Sequence, residues 1–211
     1  MRESEPRWPA LLAALAVGLL AWILPAALTL GPRWLPFSVI AALMFPTLAS
    51  HRAGHTRLND LFGYSLLGVL TLVVASSLTL LIFRLPSHAD SPGELLRSAG
   101  ALWLSNVLVF ASWYWRLDGG GPNQRVHHEE PRGAFLFPQM LMDKKLRQTL
   151  HQENWSPGFI DYLFLAFNTS TAFSPTDVPV LTRWAKVMMI IQSTISLTTL
   201  ALIAARAVDI L

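Results

Sequence analysis

Thr169, Thr171, Ser174, Thr176 and Asp177 bring four hydroxyls and one carboxylate together in the segment FNTSTAFSPTDVPV, residues 167–180. Polar groups of this kind, held at membrane depth, need protein or water around them. Upstream, FIDYLFLA at 159–166 is apolar enough for a helix in lipid, but it gives way to Asn168, Thr169, Ser170 and Thr171. This run falls well short of the roughly 20 residues that a spanning helix needs. Ser174, Pro175, Thr176 and Asp177 then interrupt the helix, and irregular backbone at that depth is tolerated only where protein or a water-filled cavity surrounds it. From Val178 the chain continues as VPVLTRWAKVMMIIQSTISLTTLALIAARAVDIL, long enough to span. A half-helix, a polar loop and a full helix read together as a re-entrant loop that lines water.

Composition makes the bilayer the expected solvent. Of the residues, 53% are apolar and only 14% charged, and the mean hydropathy is +0.43, unlike an average soluble domain. An integral, multi-pass protein of the plasma (cell inner) membrane is expected. The chain has no cysteine, so neither disulfides nor thiolate metal sites can form. The N-terminal MRESEPRWP has mixed charge and is followed by no small-residue cleavage pattern, so the first apolar run reads as a retained helix. No HExxH, serine nucleophile elbow or convincing carboxylate pair is present. The reading is therefore not an enzyme, with no cofactor, no metal and no nucleic-acid partner.

The elements that must position the loop follow from the apolar runs. Residues 9–30 form a first span with Pro25 as a kink, and 34–50 a second, short and interrupted by Pro36 and Pro46. Residues 61–83 are the clearest span, and a fourth runs from 95 to 115, ending in the aromatic belt Trp113-Tyr114-Trp115 with Arg116 behind it. Asn106, mid-span, should face protein as a bridge between helices. Residues 117–155 are the longest polar segment, with an amphipathic helix expected at 140–151. The expected fold class is an all-α membrane protein of about five transmembrane helices plus one re-entrant pore helix and loop. Its expected domains are a three-helix membrane scaffold at 1–94 and a pore-module-like domain at 95–211. The latter comprises an outer helix 95–116, a polar insertion 117–155, a pore helix and filter-like loop 156–179, and an inner helix 180–211.

Residues 155–211 resemble the pore region of tetrameric potassium channels. The resemblance lies in the order Phe-x-Thr-x-Thr, then an Asp, a β-branched residue, a proline and an Arg-bearing start to an apolar helix. It puts Phe167, Thr169 and Thr171 at the end of a pore helix and Asp177 on the acidic residue that closes the filter. A filter-like loop of Thr169, Thr171, Ala172, Phe173, Ser174, Pro175, Thr176 and Asp177, a homotetramer around a pore, and a permeating ion as partner are what the resemblance implies. Where that family has Gly-Tyr-Gly, this chain has Ser174, Pro175 and Thr176. Glycine permits the left-handed backbone that turns successive carbonyls toward an ion, and side chains with a Cβ resist it. Potassium selectivity is therefore not carried over.

In the last helix Gln192, Ser196 and Thr199 share a face, with Ser193 close to it. Below a polar re-entrant loop they are expected to line the pore; the alternative is helix packing by small polar residues. Asp177 reads either as one member of an acidic ring that concentrates cations or as a cap for the last span. Asp161 reads as a cap at the start of the half-helix. His127-His128-Glu129-Glu130 has metal-binding residue types without converging geometry and reads as a solvated loop. His51 and His55 read as basic flank, and Arg206 and Asp209 as a local pair. No span repeats Arg as a voltage sensor would.

Charge and resemblance disagree on orientation. Arg2, Arg7, Arg52, Arg57, Arg116, Lys144, Lys145, Arg147, Arg183 and Lys186 fall on the side of the loop mouth, against Arg33, Arg84, Arg97 and Arg206 opposite. The positive-inside rule then places the mouth in the cytoplasm. The resemblance implies an outward mouth, and that is the expected orientation. A transporter or a non-conducting membrane protein on a channel-like scaffold is the alternative, although no inverted repeat is visible.

Overall fold

A computed structural model describes residues 6–84, 91–125, 133–153, 155–172 and 177–208. Among them the chain is helical, with one isolated β-bridge. The elements in order are α1 (Trp8–Ile23), a 3-10 turn (Ala26–Leu28), α2 (Trp34–Arg52), α3 (Thr56–Arg84) and α4 (Pro92–Leu117). A second 3-10 turn (Asp118–Gly120) leads to the short helices α5 (Pro122–Arg125), α6 (Pro138–Leu141) and α7 (Lys144–Thr149), and then to α8 (Phe159–Thr171) and α9 (Arg183–Val208).

Among the described residues, four helical stretches are long and apolar enough to cross a membrane: Trp34–Arg52, Thr56–Arg84, Gly93–Gly120 and Arg183–Ala205. The first span is shorter than expected: α1 has 16 residues and stops at Ile23. Pro25 is the cause, because proline pushes the preceding residue out of helical backbone and lacks an N–H. It is extended in ψ and opens the 3-10 turn instead of kinking a continuous helix. At 1.5 Å per residue α1 covers about 24 Å, less than a hydrocarbon core of about 30 Å. In α2 the helix runs on through Pro46, and Pro36 sits in its first turn, where no N–H is needed.

The chain divides into two compact units, Met1–Ala10 with Phe110–Ser193 and Leu11–Val109 with Thr194–Leu211. The second unit packs α1, α2, α3 and the adjoining parts of α4 and α9. Lipid is as apolar as leucine, so helices here are held by close approach and by polar bridges. Gly18 provides the first: a Cβ there would stand 3.2 Å from the Phe37 side chain of α2. Asn59 provides the second, donating from Nδ2 to the Thr47 carbonyl at 2.8 Å across α2 and α3. Leu24, Leu28, Leu78, Leu81, Leu95 and Leu102 close the core. Asn106 is fully buried and donates to the Ser196 hydroxyl at 2.9 Å, the bridging role expected of a mid-span amide.

The first unit holds the end of α4, the polar insertion, α8 and the start of α9. Its insertion contains a shorter helix than expected: α7 starts after Asp143, whose carboxylate accepts from the Leu146 N–H at 2.7 Å. Met142 is extended, so the helix cannot begin at 140.

Candidate functional site

The half-helix α8 has 13 residues, about 20 Å at the usual helical rise. Its start is fixed by Asp161, whose carboxylate accepts from the Gly158 N–H at 2.8 Å, the capping role expected from sequence. Burial raises the Asp161 carboxyl above its ordinary value, opposed by bonds from backbone N–H groups of Gly158 and Asp161. Its buried face carries Phe159, Tyr162, Leu165, Ala166, Thr169 and Ser170. Ile160, Phe164 and Phe167 are exposed at i, i+4 and i+7, and Thr171 extends that stripe.

Gln192 of α9 braces the half-helix. It is fully buried; its Nε2 donates to the Ala166 carbonyl at 2.7 Å and to the Ser170 hydroxyl at 2.8 Å. Its Oε1 accepts from the Tyr114 hydroxyl of α4 at 2.6 Å. One amide thus ties α4, α8 and α9, and Ser193 adds a weaker bond to the Thr169 carbonyl at 3.4 Å. In the other unit Ser196 and Thr199 are also fully buried, Thr199 bonding back to the carbonyls of Ile195 and Ser196 at 2.8 and 3.0 Å. Of the residues expected to line a pore or to pack helices, Gln192, Ser196 and Thr199 are thus buried within the chain and Ser193 is half-buried. Within each unit this polar face meets the chain's own helices, and α9 exposes Val187, Ile190, Ile191 and Leu197 instead.

At the mouth of the loop, Thr169 is buried and Thr171 exposed, and their hydroxyls bond back to the carbonyls of Leu165 and Phe167 at 2.8 and 2.9 Å. Ala172 is exposed and donates its N–H to the Asn168 carbonyl at 2.8 Å. Phe173, Ser174, Pro175 and Thr176 lie outside the described residues, as do His127 to Glu130 and Asp209. Asp177 is exposed and precedes the start of α9 at Arg183 by more than a turn, so the capping reading does not hold.

Sequence reasoning missed what anchors the far end of this loop. Residues 133–137 of the polar insertion run antiparallel to 178–181: the Leu136 N–H donates to the Pro179 carbonyl at 3.0 Å and the Leu181 N–H to the Ala134 carbonyl at 2.8 Å. Phe135 is the plug of this strap. Its ring meets Tyr114, Tyr162 and Trp184 at centroid distances of 5.1, 6.2 and 6.1 Å, all edge-on, the favoured aromatic geometry. Phe137 packs edge-on against Tyr162 and Trp155. The signal was available in the sequence: the apolar GAFLFP stands out inside a polar segment.

Asp118 locks the strap to the half-helix. Almost fully buried, its carboxylate accepts from the Tyr162 hydroxyl at 2.6 Å and from the Ala134 N–H. Gly133 allows that approach, since a Cβ there would stand 3.0 Å from both carboxylate oxygens. Arg125 lies over the Tyr162 ring at 5.1 Å and donates to the carbonyls of Trp115 and Asp118 at 2.7 and 2.8 Å. The turn that returns the chain from α4 uses Gly119, Gly120 and Gly121, all at positive φ. Such a run is open to glycine and strained for other residues.

In comparisons with known proteins, no protein-family model, no curated protein and no solved structure matches this chain.

Proposed function

We propose that the chain is an ion-channel-like integral membrane protein whose half-helix α8, filter-like loop and helix α9 form one pore module of a homotetramer. The observation that carries the reading is the α8–loop–α9 arrangement. A helix too short to cross stops at a hydroxyl-rich end and hands over to a helix long enough to span.

The permeating ion is a cation. A helix presents the negative end of its dipole at its C-terminus, which in α8 is Thr171. Half-helix C-termini are a recurrent way to hold cations inside membranes. Asp177 adds one exposed carboxylate per copy beyond the loop. Four copies around an axis make an acidic ring. Ser174, Pro175 and Thr176 replace the glycines that a potassium filter uses, so discrimination among monovalent cations is weak. The face that α8 leaves open, Ile160, Phe164 and Phe167, is the one that neighbouring copies cover. The conduit is assigned to the loop, because the polar face of α9 is spent on internal bridges.

That burial also favours a second reading, a non-conducting membrane protein on the same scaffold. Oligomeric mass tests the pore reading at the first step. Four copies per particle in mild detergent are expected of the pore; a monomer contradicts it.

A further inference from the structure

In the second unit a cavity of about 220 Å³ opens between the end of α1, the residue preceding α2 and the first turns of α4. We propose that it binds the phosphodiester group of a phospholipid, with Arg33 and Arg97 as the phosphate ligands. The inference does not rest on the pore reading; it needs only the membrane-spanning helices.

The lining carries the chemistry. Arg33 comes from the α1–α2 connection and Arg97 from α4, so two arginines from separate elements line one cavity. A guanidinium presents a planar fork that matches two phosphate oxygens at once. Ser98, 3% exposed, lines the same cavity and adds a hydroxyl donor. Glu94 also lines it, but its carboxylate is engaged at the start of α4, where it accepts from the Ser91 N–H at 3.4 Å while Ser91 Oγ accepts from the Glu94 N–H at 3.3 Å. Two cations and one anion leave a formal charge of +1 (2 − 1), which matches the single charge of a phosphodiester better than a dianionic monoester.

Size and surroundings select a lipid as the source. Cavities for drug-sized ligands run from about 300 to 1,000 Å³, so this one holds a headgroup and leaves the rest of its ligand outside. Ile23 and Ala101 give the cavity an apolar wall. Ile23 is exposed, and Trp22 and Trp34 close by are about half exposed. Tryptophan at helix ends is the mark of the membrane–water interface, and basic pockets between helices at that level are where lipid headgroups bind.

Native mass spectrometry of the full chain in detergent tests this, with phosphatidylglycerol, diacylglycerol and inorganic phosphate as probes. Phosphatidylglycerol should be retained and diacylglycerol should not. The double variant R33Q/R97Q should lose retention about tenfold or more, with its helical circular dichroism unchanged. E94Q, whose amide oxygen can still accept from the Ser91 N–H, should retain phosphatidylglycerol more strongly than the parent, and this arm decides the matter should the double variant not fold. Equal retention of diacylglycerol, unchanged retention in R33Q/R97Q, or weaker retention in E94Q overturns the proposal. Displacement of phosphatidylglycerol by inorganic phosphate at comparable concentration overturns the lipid as ligand and reassigns the site to a soluble anion.

Discussion

The Tyr114 hydroxyl donates to Gln192 Oε1 at 2.6 Å in the buried interior of the first unit, while Gln192 Nε2 donates twice to α8. Gln192 is therefore the fastener of the half-helix. Replacing Gln192 by Leu leaves the Tyr114 and Ser170 hydroxyls without this partner. The cost should be about 1–3 kcal/mol. A double-mutant cycle with Tyr114→Phe should give a coupling of about 0.6–1.7 kcal/mol, the range found for hydrogen bonds between membrane helices. Unfolding in mixed micelles measures both.

Asp118 should matter more than its hydroxyl partner. Tyr162→Phe removes one bond to the carboxylate, whereas Asp118→Ala removes that bond and the one from the Ala134 N–H, freeing the strap as well. Hydrogen bonds to a charged group contribute about 1.5–3 kcal/mol each, so Asp118→Ala should destabilise by roughly twice as much as Tyr162→Phe. Equal losses in the same unfolding assay would remove the strap from the account.

Two glycines separate backbone strain from steric clash. Gly54 has φ +72° and open space where a Cβ would stand, while Gly121 has φ +88° and a Cβ there would lie 2.8 Å from the Arg116 carbonyl oxygen. Gly54→Ala should cost about 1–2 kcal/mol, the left-handed penalty alone. Gly121→Ala should cost clearly more, and thermal melts of the two variants will rank them.

The Asp161 carboxyl gives a pH dependence of unusual sign. Burial raises it in the folded protein, so the native state holds the proton more tightly than the unfolded chain. Its contribution to stability is fully present below the ordinary Asp value of about 3.9 and is lost as pH rises through the raised folded value. Asp161→Asn, which retains an oxygen for the Gly158 N–H, should flatten this part of the stability profile. Melts from acidic to neutral pH of parent and variant provide the check.

Much of the architecture was legible because its signals are strong and local. Residues 61–83 and 95–115 read as spans from uninterrupted apolar length, and the helices α3 and α4 contain them. Asp161 read as a cap from its place at the start of an apolar run, and its bond to Gly158 is that cap. Asn106 read as a bridge from its depth alone. What was not legible was tertiary. Spacing placed Gln192, Ser196 and Thr199 on one face but could not say what the face meets, and both the lumen of a pore and a neighbouring helix suit small polar residues. The strap at 133–137 pairs residues more than forty positions apart (135 with 180), and no local pattern encodes such a pairing.

Ion flux into liposomes carrying the purified protein tests the central claim most directly, with K⁺, Na⁺ and Cl⁻ gradients compared and Asp177→Asn and Thr171→Ala run beside the parent. The account predicts K⁺ and Na⁺ flux of similar size, little Cl⁻ flux, and a several-fold loss in Asp177→Asn with a change also in Thr171→Ala. Flux of Cl⁻ in place of cations, or no flux under any gradient from folded tetrameric protein, would contradict it.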